Sequence, residues 1–363
     1  MHIDYARSIV SITNSVLKHY GVNPYHASLQ ELDKVFERAY KHVFYFVTDG
    51  LGQSMLKRHL ESDAFLRRHQ LTTVSSVFPP TTVAATTSIL TGKTPYEHGH
   101  LGWFQYFQEA DVYYTVFLKK DYYDFSKTLP KGFNPRFKVR PFTEIVKEKH
   151  AHLFTKIIYP KPIDPDGFVR FEEGLKQCLN IAKLDQKTLV YYYFTEPDLT
   201  AHYDGASGSQ TKLKINALNA ALERFYDDLP RDSLVILTAD HGLIDVEPIA
   251  ILDTPIMDTL RAKPSLEPRA SVFHVKDKKT FEILFERAYS KYFTLYTTNA
   301  FLALNAFGSG ERHPHIALNL GDYIAVAHGN KYFSLSEETV FKGHHAGSTD
   351  QELYVPLIVF KKE

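Results

Sequence analysis

The stretch HVFYFVTDGLG, residues 42–52, decides the fold class. It is a run of aromatic and β-branched residues that ends abruptly in Asp49, a pattern that favours a strand buried on both faces. Two later stretches repeat it: LVYYYFTEPD (189–198) and SLVILTADHG (233–242) also end in acidic residues. Because parallel strands deliver their following loops to one edge of a sheet, we expect these acidic ends to lie together.

Amphipathic stretches between these strands indicate helices. Residues 171–184, which include the single cysteine Cys178, and residues 211–228 carry apolar side chains at helical spacing. The resulting β-α-β alternation is typical of a parallel sheet covered by helices. We therefore predict an α/β fold, a three-layer α/β/α sandwich with a mostly parallel central sheet.

Two segments interrupt this alternation. Residues 103–170 are rich in aromatics and prolines, and we expect an irregular insertion there, with no function assigned to its aromatic side chains. Residues 256–342 contain strand and helix patterns of their own and predict a small inserted α/β subdomain. The metal-binding hydrolase core would then comprise residues 1–255 together with 343–363.

Charge and composition exclude several classes of protein. Lys+Arg and Asp+Glu balance at 42 each, which argues against a dedicated nucleic-acid or anionic-membrane binder, and one cysteine excludes an intramolecular disulfide framework. There is no basic start followed by an apolar segment and no apolar run of membrane-spanning length. We expect a cytoplasmic protein without a membrane or nucleic-acid partner that acts on a small molecule. Its oligomeric state is not determined by the sequence.

The segment FTEPDLTAHYDG (194–205) predicts a metal clip. Asp198 and His202 stand four residues apart, which places them on one face of a helical turn, although such pairs are also common on solvated helices. Carboxylate and imidazole together suit zinc, and manganese is the alternative. Asp240 and His241 form a second candidate pair at the end of a central strand. Asp49 is a further candidate, and an Asp-Gly pair is also typical of an ordinary turn.

A candidate nucleophile lies in FPPTTVAATTSILTG (78–92). Two prolines and a threonine predict the start of a short helix that runs to Gly92 and places Thr82 in its first turn. Free N–H groups at a helix N-terminus can hold phosphoryl oxygens while a hydroxyl attacks. From position alone, other hydroxyls compete for this role, namely those of Thr81, Thr86 and Thr87.

One more histidine is expected to close the site. GHHAGSTDQELYVPLIVF (343–360) offers His344 and His345 in a loop of small residues before the last strand. Because this loop precedes its strand, the strand must run antiparallel to the others or the loop must reach across. The residues themselves leave both alternatives open.

Taken in order, these segments resemble the alkaline phosphatase superfamily, and within it the type I phosphodiesterase and nucleotide pyrophosphatase family. The shared motifs are T-D-G at Asp49, a threonine nine residues before Thr91-Gly92, E-P-D-x-x-x-H at 196–202, D-H-G at 240–242, and H-x-G with E-x-x-V-P-L at 345–357. The resemblance spans nearly the whole predicted core.

The resemblance implies a role for each candidate. It assigns the nucleophile to Thr82 and selects His345 over His344. One divalent metal ion would be held by Asp198, His202 and His345, and a second by Asp49, Asp240 and His241 together with Thr82; both would be Zn²⁺, with Mn²⁺ as the alternative.

The implied activity is that of a phosphodiesterase or nucleotide pyrophosphatase. The sequence departs from the nucleotide pyrophosphatases at Ala85, where the family has an asparagine that holds a phosphoryl oxygen, and this leaves the substrate class open. No Lys or Arg occurs from Leu71 to Gly92, which favours a diester or pyrophosphate over a dianionic monoester. The alternatives are a phosphomonoesterase or phosphonate hydrolase on the same site and, less favoured, a non-catalytic metal-stabilised scaffold.

Overall fold

The structure is a computed structural model that describes residues 3–161, 163–335 and 340–363. The strands are β1 (His42–Thr48), β2 (Gln70–Ser75), β3 (Phe104–Phe107), β4 (Val112–Thr115), β5 (Phe154–Ile158), β6 (Thr188–Phe194), β7 (Ser233–Ala239), β8 (Ile244–Asp245), β9 (Glu247–Ala250), β10 (Ser265–Glu267), β11 (Ala270–Phe273), β12 (Phe293–Thr297), β13 (Tyr323–Ala327), β14 (Lys331–Ser334), β15 (Gly343–His344) and β16 (Tyr354–Lys362).

The helices alternate with these strands along the first part of the chain. They are α1 (Ile9–His19), α2 (Gln30–Val35), α3 (Gln53–His59), α4 (Phe65–Arg68), α5 (Thr82–Thr91), α6 (Pro95–His98), α7 (Phe142–Lys149), α8 (Phe171–Ala182), α9 (Asp198–Asp204), α10 (Ser209–Asp228), α11 (Lys278–Tyr289), α12 (Thr298–Ala303), α13 (His315–Leu318) and α14 (Asp350–Leu353). Short 3-10 helices cover Tyr5–Arg7 and Pro255–Thr259.

The central sheet has six strands in the order β2-β16-β7-β1-β6-β5. β1 pairs in parallel with both β6 and β7, and β5 pairs in parallel with β6. Every residue of β1 and β7 is buried, as expected for strands that are covered on both faces. One group of helices, α1, α2, α5 and α7, packs together, and a second group packs around α10. The predicted α/β class with a mostly parallel central sheet is confirmed.

The last strand resolves a question that the sequence left open. β16 runs antiparallel to its neighbours β7 and β2. β16 therefore starts, and the loop before it ends, at the same edge of the sheet at which β1, β6 and β7 end. This direction brings the two histidines ahead of β16 to the carboxyl edge of the parallel strands.

A second sheet lies outside the central one, with the order β12-β13-β11-β10-β3-β4 and antiparallel pairing throughout. It combines strands from residues 256–342 with the β3–β4 hairpin. Leu266 of β10 pairs with Phe104 of β3 and joins the two parts. The predicted small α/β subdomain thus shares its sheet with the segment that precedes it, and the division into domains stays a prediction.

Residues 103–170 differ from the irregular insertion that we expected. The segment supplies β3 and β4 to the second sheet and β5 to the edge of the central sheet. The physical reason is burial: Phe104 and Tyr106 pack in an aromatic cluster with Phe273 and Phe281, so the aromatic side chains serve a second core. The prolines of this segment indicate turns and loops, and the sequence therefore did not predict the short strands between them.

Within the described residues, no helix is both long and apolar enough to cross a membrane.

Candidate active site

Three neighbouring strands end in register at one edge of the central sheet. Thr48, the last residue of β1, is paired with Phe194 of β6 on one side and with Ala239 of β7 on the other. The residues that follow these strand ends therefore emerge side by side. They are Asp49, Asp198 and the pair Asp240 and His241.

Two further elements complete the site. Thr82 is the first residue of α5, whose preceding residue Thr81 is extended and whose end is marked by Gly92 in the left-handed region, at φ 69°. His345 follows β15, which pairs with β8 just beyond β7. Four segments of the core and the loop ahead of the last strand thus converge on one place.

The structure brings the predicted ligands into two groups. Asp198, His202 and His345 form one, and Asp49, Asp240 and His241 form the other. Within each group, one potential ligand atom of every residue lies within 4.8 Å of the others. The rings of His241 and His345 stack with centroids 3.9 Å apart, so the two groups adjoin.

The three histidines share an arrangement that suits metal binding. In each, Nδ1 faces a backbone carbonyl: His202 faces Gly343 O at 2.9 Å, His345 faces Pro80 O at 3.2 Å, and His241 faces the carbonyl of Gly242 at 3.2 Å. A carbonyl only accepts, so Nδ1 carries the hydrogen, and in the neutral imidazole Nε2 keeps its lone pair. Such contacts fix the tautomer and ring orientation of metal-binding histidines.

The three aspartates each present a free oxygen. Asp240 uses Oδ1 to accept from the amides of Gly50 (3.0 Å) and His241 (2.9 Å), and Asp49 uses Oδ2 to accept from the Tyr193 hydroxyl. Asp240 Oδ2, Asp49 Oδ1 and Asp198 Oδ1 are buried without a hydrogen-bond partner among the described residues. Since unpaired buried carboxylate oxygens are costly, a cation between them would stabilise the site, and the donor set fits two divalent metal ions.

Electrostatic interactions in the protein alone are unfavourable in one group and favourable in the other. Burial, followed by repulsion from Asp240 and Asp198, holds the pKa of Asp49 well above its usual range. Burial also raises the pKa of Asp240. Burial would raise the pKa of Asp198 as well, but attraction to His202, whose Nε2 is 3.3 Å away, outweighs it and lowers that pKa. Positive charge supplied from outside would relieve the repulsion.

Geometry distinguishes Thr82 from its neighbour Thr81. Thr82 Oγ1 lies 3.2 Å from His241 Nε2, which is itself 3.3 Å from Asp49 Oδ1. Thr81 instead donates its hydroxyl to Glu267 at 2.6 Å. The competing hydroxyls of Thr86 and Thr87 donate to carbonyls of their own helix. Only Thr82, among these four hydroxyls, lies against the predicted metal ligands.

His345 is likewise distinguished from His344. His345 Nε2 lies 3.9 Å from Asp198 Oδ1, whereas His344 Nδ1 faces its own chain at the amide and carbonyl of His345. His344 packs beside the ring of His202 with centroids 5.1 Å apart. The structure thus places every predicted site residue in the cluster.

Sequence reasoning missed two residues that border the site. Tyr193 lies in β6 and donates to Asp49, and Glu267 at the end of β10 accepts from Thr81 and from the Trp103 amide, both at 2.6 Å. Burial raises the pKa of Glu267 to about 7. The period-two alternation of β6 could have indicated Tyr193, because it points to the same face as Tyr191. No sequence pattern near Glu267 indicates its position at the site, because Glu267 belongs to β10 of the second sheet.

A buried ion pair anchors the loop that carries His345. The Arg269 guanidinium contacts both carboxylate oxygens of Glu352, at 2.7 and 2.8 Å, and both side chains are fully buried. Glu352 also accepts from the Gly347 and Thr349 amides, two and four residues after His345. Glu352 belongs to the E-x-x-V-P-L motif, for which the sequence suggested no role.

A family model described as "Type I phosphodiesterase / nucleotide pyrophosphatase" matches residues 43–291, more than half of the chain. That range contains six of the seven site residues. No curated protein sequence matches the chain.

Solved structures of similar fold cover most of the chain. Murine ectonucleotide pyrophosphatase / phosphodiesterase 5, as an inactive variant in complex with AMP, is 16% identical over 88% of this chain and 87% of its own, with a TM-score of 0.64. The human protein of that name is 14% identical over 88% and 87% of the two chains, also with a TM-score of 0.64. At these identities the similarity establishes the fold.

Proposed function

The chain belongs to the type I phosphodiesterase / nucleotide pyrophosphatase family and is a hydrolase of phosphoric ester or anhydride bonds, and we propose that it acts through a phosphothreonine intermediate on Thr82. The observation that carries this proposal is the position of the Thr82 hydroxyl. It lies at the N-terminus of α5 and 3.2 Å from His241 Nε2, within a cluster of buried carboxylates.

The proposed site would hold two divalent metal ions. Asp198, His202 and His345 would bind one, and the other would be bound by Thr82 and the remaining group, Asp49, Asp240 and His241. Imidazole nitrogens and carboxylate oxygens favour Zn²⁺, with Mn²⁺ as the alternative. When bound, the two metals would lower the pKa of the attacking hydroxyl and stabilise charge on the leaving oxygen.

The chain's own residues would position the reacting groups. Thr82 Oγ attacks the phosphorus, the bond to the leaving oxygen breaks, and the hydroxyl proton passes to solvent while the leaving oxygen takes up a proton. Amides in the first turn of α5 have no partner within the helix and are available to the phosphoryl oxygens. Water then attacks the phosphothreonine, and Thr82 regains its proton as phosphate or phosphomonoester departs.

The environment of Thr82 favours a substrate with little negative charge at phosphorus. No Lys or Arg occurs from Leu71 to Gly92, and Ala85 follows the nucleophile where the family has an asparagine. A phosphodiester or a nucleotide pyrophosphate therefore fits better than a dianionic monoester. The AMP bound to the murine protein of similar fold supports a nucleotide substrate. A phosphomonoesterase or phosphonate hydrolase is the second candidate, and a panel of chromogenic mono- and diesters separates the two.

The mechanism is tested by Thr82→Ala. This variant should abolish hydrolysis of a chromogenic phosphodiester while its metal content, measured by elemental analysis, stays within error of wild type, because the other ligands remain. Thr82→Ser should retain measurable turnover, since it keeps the hydroxyl.

Asp198→Ala is the complementary control. It should lower metal content along with activity. Full activity of Thr82→Ala would refute the nucleophile, and unchanged metal content in Asp198→Ala would refute the ligand assignment.

A further inference from the structure

A large cavity lies away from the seven residues of the metal site. It has a volume of about 1210 Å³ and is lined by the tip of the β3–β4 hairpin and the segments 130–138 and 311–319. None of the proposed metal ligands lines it. Small-molecule sites in proteins are typically clefts of roughly 300–1000 Å³, so this cavity has room for a ligand of nucleotide size together with water.

A buried polar side chain in the cavity wall has an unpaired amide nitrogen. Asn319 is 2% exposed and His315 is 3% exposed, and both line the cavity. Within the described part of the chain, Asn319 Nδ2 has no hydrogen-bond partner, whereas the His315 ring interacts with the backbone of Gly99 and Pro135. Buried amide groups are normally satisfied, so an unpaired amide donor at a cavity wall points to a ligand that supplies the acceptor.

The cavity rim carries an excess of positive charge. Lys131, Arg136 and Lys138 line it, and across residues 3–161, 163–335 and 340–363 none of them has an ion-pair partner. Glu109 and Glu311 are its two acidic residues. Burial lowers the pKa of His315 to about 4, so that imidazole adds no charge near neutral pH. The rim therefore favours an anion.

Aromatic rings form the remaining wall. Phe107 stands edge-on to Phe133, with centroids 5.4 Å apart, and edge-on to His315 at 5.2 Å. Phe107 and Phe133 are only partly buried and both face the cavity lining. A flat ring inserted here would extend this edge-to-face packing.

We propose that this cavity is a second binding site, separate from the metal site, for a small organic anion that carries a heteroaromatic ring. The anionic group contacts Lys131 and Arg136, the ring packs against Phe107 and Phe133, and a ring nitrogen or carbonyl accepts from Asn319 Nδ2. We expect both the anionic group and the ring to contribute to affinity, because the cations and the aromatic wall line the same cavity.

The test uses 5′-AMP as the probe and isothermal titration calorimetry on the full-length chain. Asp198→Ala, kept free of metal by a chelator, provides a background in which neither group of metal ligands can bind AMP through a metal, so that binding to the cavity is measured alone. We expect AMP to bind this variant. Arg136→Ala and Asn319→Leu, each added to it, should weaken binding about tenfold or more, the effect of losing one charge-assisted or buried hydrogen bond.

Matched controls separate the site from a general charge effect. Lys120→Ala removes an exposed cation that does not line the cavity and should leave AMP affinity unchanged. Adenosine and inorganic phosphate should each bind at least about tenfold more weakly than AMP, since each lacks one half of the ligand. Arg136→Ala, at an exposed position, keeps the test interpretable if Asn319→Leu does not fold.

Three results would overturn the proposal: loss of AMP binding in Asp198→Ala, equal affinity in the Arg136→Ala and Lys120→Ala variants, or inorganic phosphate binding as tightly as AMP. None of them depends on the turnover measured with Thr82→Ala. Failure of the second site is therefore distinguishable from failure of the proposed function.

Discussion

At the scale of single residues, two tyrosines of β6 show how position determines role. Tyr191 and Tyr193 are both buried and point to the same face of the strand. The Tyr193 hydroxyl donates to Asp49 Oδ2, whereas the Tyr191 hydroxyl has no partner among the described residues. Tyr193 therefore orients a proposed metal ligand, and Tyr191 serves packing.

We expect Tyr193→Phe to weaken metal binding by about 10–100-fold, because loss of a contact that orients a ligand typically has this effect. The measurement is competition with a chromogenic chelator. Tyr191→Phe is the matched control and should leave metal affinity unchanged, since it removes a hydroxyl without a partner. Equal effects of the two substitutions would show that Tyr193 has no specific role.

The raised pKa of Glu267 predicts that the stability of the protein depends on pH. Burial raises its pKa from 4.5 to about 7, so the folded state holds the proton more tightly than the unfolded state does. Its stabilising contribution is complete below pH 4.5 and is lost as the pH rises through about 7, at a total cost of about 3 kcal/mol.

In the metal-free protein, Glu267→Gln should remove this dependence. The free energy of unfolding of the variant minus that of wild type, measured by urea unfolding, should be larger at pH 8 than at pH 4.5. Glu286→Gln, at an exposed position of α11, is the control and should follow the wild-type profile. Parallel pH profiles for wild type and Glu267→Gln would contradict the prediction.

At the scale of elements, the turn between β10 and β11 fastens the second sheet to the site. Glu267 on one side of the turn contacts Thr81, the residue before the proposed nucleophile. Arg269 on the other side pairs with Glu352 and so holds the loop that carries His345. This one turn thus contacts the two elements of the site that do not follow a central strand, namely the start of α5 and the loop that carries His345.

We expect Arg269→Met to destabilise the protein by about 3–5 kcal/mol, because it leaves the Glu352 charge buried without its partner. It should also lower metal content through the loosened His345 loop. Urea unfolding and elemental analysis measure the two effects. Arg140→Met breaks an exposed ion pair with Glu148 and should cost at most about 1 kcal/mol. Wild-type stability in Arg269→Met would refute the anchoring role.

At the scale of the whole molecule, the proposed metal site ties together segments that are far apart in the chain. Its residues run from Asp49 to His345 and come from the segments after three central strands, from the start of α5 and from the loop before β16. A ligand that binds only the folded state stabilises it by an amount that grows with its concentration relative to its dissociation constant.

Removal of metal with a chelator should therefore lower the melting temperature. At a free metal concentration of about 100 times the dissociation constant, the loss is about 3 kcal/mol per site. Differential scanning calorimetry with and without added Zn²⁺ measures it. Asp198→Ala should show a smaller metal-dependent shift than wild type, and identical melting of chelated and metal-loaded wild type would contradict the proposed site.

The sequence by itself determined the α/β class and most of the candidate site. Buried strands that end in acidic residues can be predicted from the sequence, because an apolar run and the acidic residue that ends it are local properties of the chain. Asp49, Asp198 and the Asp240-His241 pair follow from those strand ends, and family resemblance selected Thr82 and His345 from their neighbours. A cytoplasmic location stays a prediction.

Only the tertiary structure decided the direction of β16, the strands within residues 103–170, and the roles of Tyr193, Glu267 and Arg269. Each of these depends on contacts between segments distant in the chain, and such contacts leave no periodicity in the sequence near either partner. The cavity beside Asn319 is also formed by segments distant in the chain, so the sequence did not indicate it. Local chemistry therefore predicted which residues could bind metal, whereas long-range packing decided what holds them in place.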